Sequence, residues 1–217
     1  MSDSSRRGFL ASVGALAGAA ALLPEIAAAS AGAAGAVSGN WDLSWLDRLK
    51  GKHRQVFDFA DMDIGLVVVK NWLDAHEEVF GLRSPQVNAV VGIGGHAFAV
   101  NAGDALYQKF PIGEQWKVTD PATGKPALRS IFLDGPAAPS PRAGAGVRPL
   151  QARGVIFWQC NNALKGVAGQ LAKAVSRPMP EVYEELKGGL NPGVVLVPAH
   201  TMLIGLAQEH GCSYESL

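Results

Sequence analysis

Cysteine is scarce: the 217 residues contain two, Cys160 and Cys212. Two thiols cannot build a disulfide scaffold, nor a four-cysteine zinc site within one chain. A surplus of charge is missing as well, since nineteen Lys and Arg balance nineteen Asp and Glu. Nucleic acid is held by a basic surface that neutralises phosphates, so zero net charge argues against it as a partner. The same balance weakens attraction to an anionic membrane. Charged residues make up only 18% of the chain, with 26 glycines, which excludes a coiled coil or a charge-rich disordered chain. What is present is apolar: 48% of residues, although much of the share is alanine within the first 40. The length suits one domain with a substantial core.

The N-terminus reads as an address. Ser5-Arg6-Arg7-Gly8-Phe9-Leu10 precedes an apolar run from Ala11 to Leu23, the pattern of a twin-arginine (Tat) export signal. Small residues around Ala27–Ala31 offer cleavage sites, and the run is too short and too rich in glycine and alanine to span a bilayer. Residues 1–31 are therefore expected to be a signal peptide, 32–50 a leader, and 51–217 the domain. Export by the Tat translocase to the periplasm or beyond follows, with no stable membrane span after cleavage. An oxidising compartment makes a lone thiol a candidate for pairing or function, so a Cys160–Cys212 disulfide stays open.

Beyond residue 50, strand and helix patterns alternate. Arg54–Phe59, Gln86–Ile93, Gly154–Trp158 and Val194–Val197 read as strands, the second nearly continuous in apolar residues as expected of a strand covered on both faces. Ile64–Phe80, Phe98–Phe110, Asn161–Val175, Pro180–Lys187 and Thr201–His210 read as helices, with Gly81 and Gly211 as stops. Phe132 and Leu133 suggest a further edge strand. Such alternation means parallel pairing, hence a doubly wound, mainly parallel α/β sheet of about five strands. Residues 111–146 break the rhythm. Glu114–Val118 and Ala127–Phe132 flank a turn cluster and suggest a β-hairpin flap, followed by a Pro/Ala/Gly-rich loop.

In open α/β sheets, ligands sit beyond the carboxyl ends of the strands. Four exits carry polar residues there: Asp58, Asp61 and Asp63; His96 between Gly95 and Ala97; Cys160 with Asn161 and Asn162; and His200 with Thr201. Cys160 stands between a strand and a helix start, where the helix dipole favours a nucleophilic thiolate, and His96 or His200 can assist it. The three together can alternatively hold zinc, copper or haem iron. Asp61 and Asp63 suit helix capping better than cation binding. His53, His76 and His210 read as packing residues. Gly92-Ile-Gly94-Gly95-His96-Ala97 resembles a dinucleotide fingerprint weakly, with Glu114 near the required acidic spacing but on no strand.

The run Leu150–Gly166 through Cys160, the Leu190–Pro198 segment, Gln208-Glu-His-Gly211 with Tyr214 beyond, and His96 with Asn101–Leu106 together resemble the DsrE/DsrF-like family over roughly Gln55–Tyr214. That resemblance implies a flavodoxin-like fold, a homo-oligomer, and sulfane sulfur carried as a persulfide at Cys160, received from a small sulfur compound or a sulfur-carrier protein. No cofactor is required for that chemistry. The insertion 111–146 and the export signal depart from the family's cytoplasmic carriers.

Overall fold

The computed structural model describes residues 41–62 and 64–217. The expected export signal lies outside them. Five strands form one all-parallel sheet in the order β4-β3-β2-β1-β5: β1 His53–Phe59, β2 Val87–Ile93, β3 Ile156–Cys160, β4 Val195–Val197 and β5 Ser213–Ser216. The helices are α1 Gly65–Phe80, α2 Phe98–Asn101, α3 Asp104–Lys109, α4 Ile112–Gln115, α5 Val147–Ala152, α6 Asn161–Ala174, α7 Met179–Gly188 and α8 His200–Glu209. This is the doubly wound α/β arrangement, consistent with a flavodoxin-like fold.

Strand alternation sorts the core into two faces. Phe57, Val91 and Phe157 share one row and pack with Leu66, Val69 and Leu73 of α1. Val56, Val90 and Trp158 point the other way, toward Leu203 and Ala207 of α8. Every residue of β2 is buried, as its continuous apolar run predicts for a central parallel strand. Gly81 ends α1 in the left-handed region at φ 66°, with its N–H returned to the Glu77 carbonyl, a conformation that costs glycine little.

Four expectations need correction. The fifth strand is not at Phe132–Leu133. Those residues lie in turns and accept the N–H groups of Val147 and Arg148, while the sheet edge is Ser213–Ser216 from the expected tail. The Phe98–Phe110 helix is split, because Ala102 turns extended and bridges Leu190 and Gly103 donates to the Gly189 carbonyl. The flap contracts to one antiparallel bridge, Thr119 with Pro126, and Glu114 lies in α4. Finally, the packed chain starts before residue 51. A 3-10 turn, Ser44–Arg48, buries Trp45 and Leu46, with Leu49 buried just beyond it, and Trp45 packs against Trp158 with ring centroids 5.8 Å apart.

Among the described residues no helix is long and apolar enough to cross a membrane. If residues 45–49 belong to the core, Trp45→Ala will lower unfolding free energy by about 3–5 kcal/mol, the cost of a large buried aromatic, measured by urea denaturation. A leader-like residue would cost under about 0.5 kcal/mol.

Candidate functional site

The row Ser216–Asp58–Gly92–Trp158–Val195 runs across the sheet near its carboxyl edge. Over this row lies the imidazole of His200, the first residue of α8. The Trp158 indole N–H donates to His200 Nδ1 at 3.1 Å, and His200 Nε2 meets Asp58 Oδ1 at 2.8 Å. An indole can only donate, so Nδ1 accepts and the ring proton sits on Nε2, given to Asp58. The Tyr214 hydroxyl donates to the other Asp58 oxygen at 2.8 Å. That bond to a carboxylate raises Tyr214 above the ordinary phenol value, with a smaller opposing contribution from Ser216. Gly92 makes the arrangement possible: a Cβ there would stand 2.4 Å from the indole and 2.9 Å from His200 Cε1.

Cys160 is the last residue of β3 and caps α6. Its Sγ accepts the backbone N–H of Ala163 at 3.4 Å and that of His200 at 3.3 Å. The N-terminal ends of α6 and α8 therefore converge on one sulfur, whose residue is 5% exposed. Helix N-termini carry partial positive charge and free N–H groups, so both favour negative charge at that point. Behind the sulfur, buried Asn101 donates to the Trp158 carbonyl at 3.1 Å and to Gln159 Oε1 at 3.2 Å. These bonds fix the end of β3.

The expected trio does not assemble. Cys160 and His200 are neighbours, but through the His200 backbone, while its ring is engaged by Asp58 and Trp158. His96 is exposed, makes no side-chain hydrogen bond among the described residues, and lines a separate cleft of about 510 Å³ with Trp116, Lys117 and Gly166. Among the described residues no group of three His, Cys, Asp or Glu side chains is placed to hold a metal, so the His96–Cys160–His200 ligand set for zinc, copper or haem is not formed. The disulfide is not formed either, since both cysteines are free. Strand register puts Cys212 level with Arg54 and Cys160 level with Ala60, about 20 Å apart along the sheet, far beyond disulfide reach.

Of the acidic residues, Asp58 belongs to the site. Asp61 accepts the Ile64 N–H at 3.4 Å just ahead of α1, and Asp63 lies outside the described residues. His76 and His210 each donate Nδ1–H to the carbonyl four residues back, at 2.8 Å, and His53 stacks near His76 and Phe80, the packing roles expected of all three. Reading the residues alone misses Trp158 and Gly92 as site residues. The available signal was a glycine inside an otherwise apolar strand, which marks close approach by another group. The fingerprint-like Gly92 thus makes room for two rings.

No family model and no curated protein matches the chain. Among solved structures, a protein of unknown function, MTH1491 from Methanobacterium thermoautotrophicum, is similar at 18% identity with a TM-score of 0.39, over 76% of this chain and 99% of that one.

Gly92→Ala should cost about 1–3 kcal/mol through overpacking and displace the His200 ring, read by denaturation and by loss of the Nε2–H tautomer in imidazole nitrogen NMR. An unchanged His200 signal would refute the close fit. Cys212 gives a second test. Burial pushes its thiol from 9.0 up to about 11, with Arg54 opposing. The unfolded chain then loses this proton first. Stability from this group is intact below pH 9 and declines as pH rises toward 11. Cys212→Ala should remove that portion of the alkaline slope.

Proposed function

We propose that the protein handles sulfane sulfur, carrying it as a persulfide on Cys160. The observation that carries this reading is the pair of backbone N–H groups, from His200 and Ala163, directed at Sγ. Sulfur transfer begins with a sulfur anion attacking a sulfur–sulfur bond, and both donors lower the energy of that anion. The family resemblance around Cys160 points to the same atom.

The step balances without an external oxidant. The Cys160 thiolate attacks a sulfane sulfur of an inorganic polysulfide, and a bond forms between Sγ and that sulfur. The bond joining it to the rest of the chain breaks, and the electron pair leaves with the shortened polysulfide anion. The resulting persulfide is also an anion, which the same N–H groups accommodate. Low exposure of Cys160 favours a small inorganic donor over a protein carrier. His200 acts here as a positioning residue, because Asp58 and Trp158 hold its ring and so hold its backbone N–H over the sulfur. The proposal extends to export by the twin-arginine route and to a homo-oligomeric state.

Incubation with polysulfide followed by intact-mass measurement should show adducts in steps of one sulfur, roughly 32 Da, removed by a reducing thiol. Cys160→Ser should abolish them, whereas Cys212→Ala should retain them. An unmodified wild-type protein, or adducts that survive Cys160→Ser, would overturn the proposal.

A further inference from the structure

A cavity of about 1090 Å³ takes no part in the Cys160 chemistry. It opens beyond the carboxyl end of β1, between Ala60–Met62, the first turn of α1 and the inserted segment 111–146. This is where parallel sheets characteristically receive ligands, and the volume suits a small organic molecule.

Its lining is apolar over Met62, Leu66, Ile131 and Phe132, while its charge is one-sided. Lys117, Arg129 and Arg142 stand against the carboxylate of Asp61. Arg129 is already committed, its Nε and Nη2 meeting the two Asp120 oxygens at 3.0 and 3.1 Å. Lys117 and Arg142 are exposed at the cavity and form no ion pair among the described residues, which leaves both charges available to a ligand. Lys117 is also held at φ 54°, a left-handed conformation costing a side-chain-bearing residue about 1–2 kcal/mol. Strain of this sort persists where the surroundings enforce it and concentrates at ligand sites. Here it lies at the residue whose side chain borders both this cavity and the cleft beside His96.

We infer that this cavity binds an amphipathic organic anion, a carboxylate with an apolar body. The body lies against Met62, Leu66 and Phe132, and the carboxylate faces Lys117 and Arg142. Cations bordering an apolar wall favour such a ligand over a neutral or cationic analogue of equal size, because only the anion is attracted to Lys117 and Arg142. The inference stands on this cavity alone, independent of persulfide formation.

Titration calorimetry of the full chain with octanoate, 1-octanol and octylammonium tests it. Octanoate should bind saturably at one site, about tenfold more tightly than the alcohol, with octylammonium weaker still. Lys117→Gln and Arg142→Gln should each weaken octanoate about threefold, as expected of exposed charge contacts, and leave the alcohol unchanged. Val67→Trp, which fills the cavity from its wall, should abolish binding while the far-ultraviolet spectrum confirms the fold. No octanoate binding to wild type, equal binding of the alcohol or the ammonium, or indifference to both charge removals would overturn the inference.

Discussion

The carboxyl rim of the sheet is organised by one ring packed close to one glycine. His200 touches three strands' worth of chemistry at once: Trp158 from β3 donates to it, Gly92 of β2 leaves the space beneath it, and Asp58 of β1 accepts from it. Tyr214 of β5 then closes on the same carboxylate. Each contact depends on the others. Trp158 and Asp58 select the same tautomer, the indole by donating to Nδ1 and the carboxylate by accepting from Nε2, and a side chain at position 92 would crowd both rings. A hydrogen bond to a charged group contributes about 1.5–3 kcal/mol, less where solvent competes, as it does at the partly open Asp58. The larger consequence is geometric, because His200 is also the first residue of α8. Holding the ring fixes where that helix begins.

Fixing the start of α8 gives Cys160 its setting. A cysteine at the end of a strand meets the helix that follows it as a matter of connectivity, and Ala163 supplies that first N–H. The second N–H comes from residue 200, forty positions later, and depends on α8 arriving at the correct height over β3. Two converging helix ends exceed what either alone supplies, since the partial charge of each falls off within its own first turn. In the proposed persulfide chemistry, the sulfur's partners are thus backbone groups that need no titration to act. The imidazole contributes by anchoring the backbone.

The strands and their parallel order were legible because apolar runs of strand length, separated by helical periodicity, admit few other arrangements. Gly81 and the position of Cys160 at a strand exit followed from the same reasoning. β5 was not legible: every residue of Ser213–Ser216 is exposed and most are polar, so the segment carries no apolar alternation, and its side-chain bonds to β1 from Ser213 and Tyr214 follow from register. The early core was hidden for the opposite reason, since Trp45, Leu46 and Leu49 lie in and just beyond a 3-10 turn too short to show periodicity. For the site, single residues were visible but their direction was not. His96, in a glycine-bounded loop, looked the stronger of the two histidines at strand exits, and His200 the weaker. The distinction came from Gly92 and Trp158, whose meaning depends on cross-strand register that a linear reading does not contain.

The insertion explains why the two histidines diverge. Trp116, within residues 111–146, donates its indole N–H to the Gly95 carbonyl at 3.0 Å, tying the insertion to the loop that carries His96. That loop thereby borders the cleft that shares Met62, Trp116 and Lys117 with the large cavity. His200, by contrast, rises from the face covered by α8 and Trp45. The sheet therefore presents two rims: one closed around a sulfur by helix ends, the other opened into a cavity by the segment that interrupts the α/β rhythm. The walls of the second come mainly from the insertion and the first turn of α1, and it adjoins the row that holds His200 at Ala60 and at Leu217, whose N–H donates to the Asp58 carbonyl. A parallel sheet with helices on both faces makes this separation possible, since successive residues of every strand point to opposite sides. The side on which a residue leaves its strand, more than its chemical type, decides which of the two rims it serves.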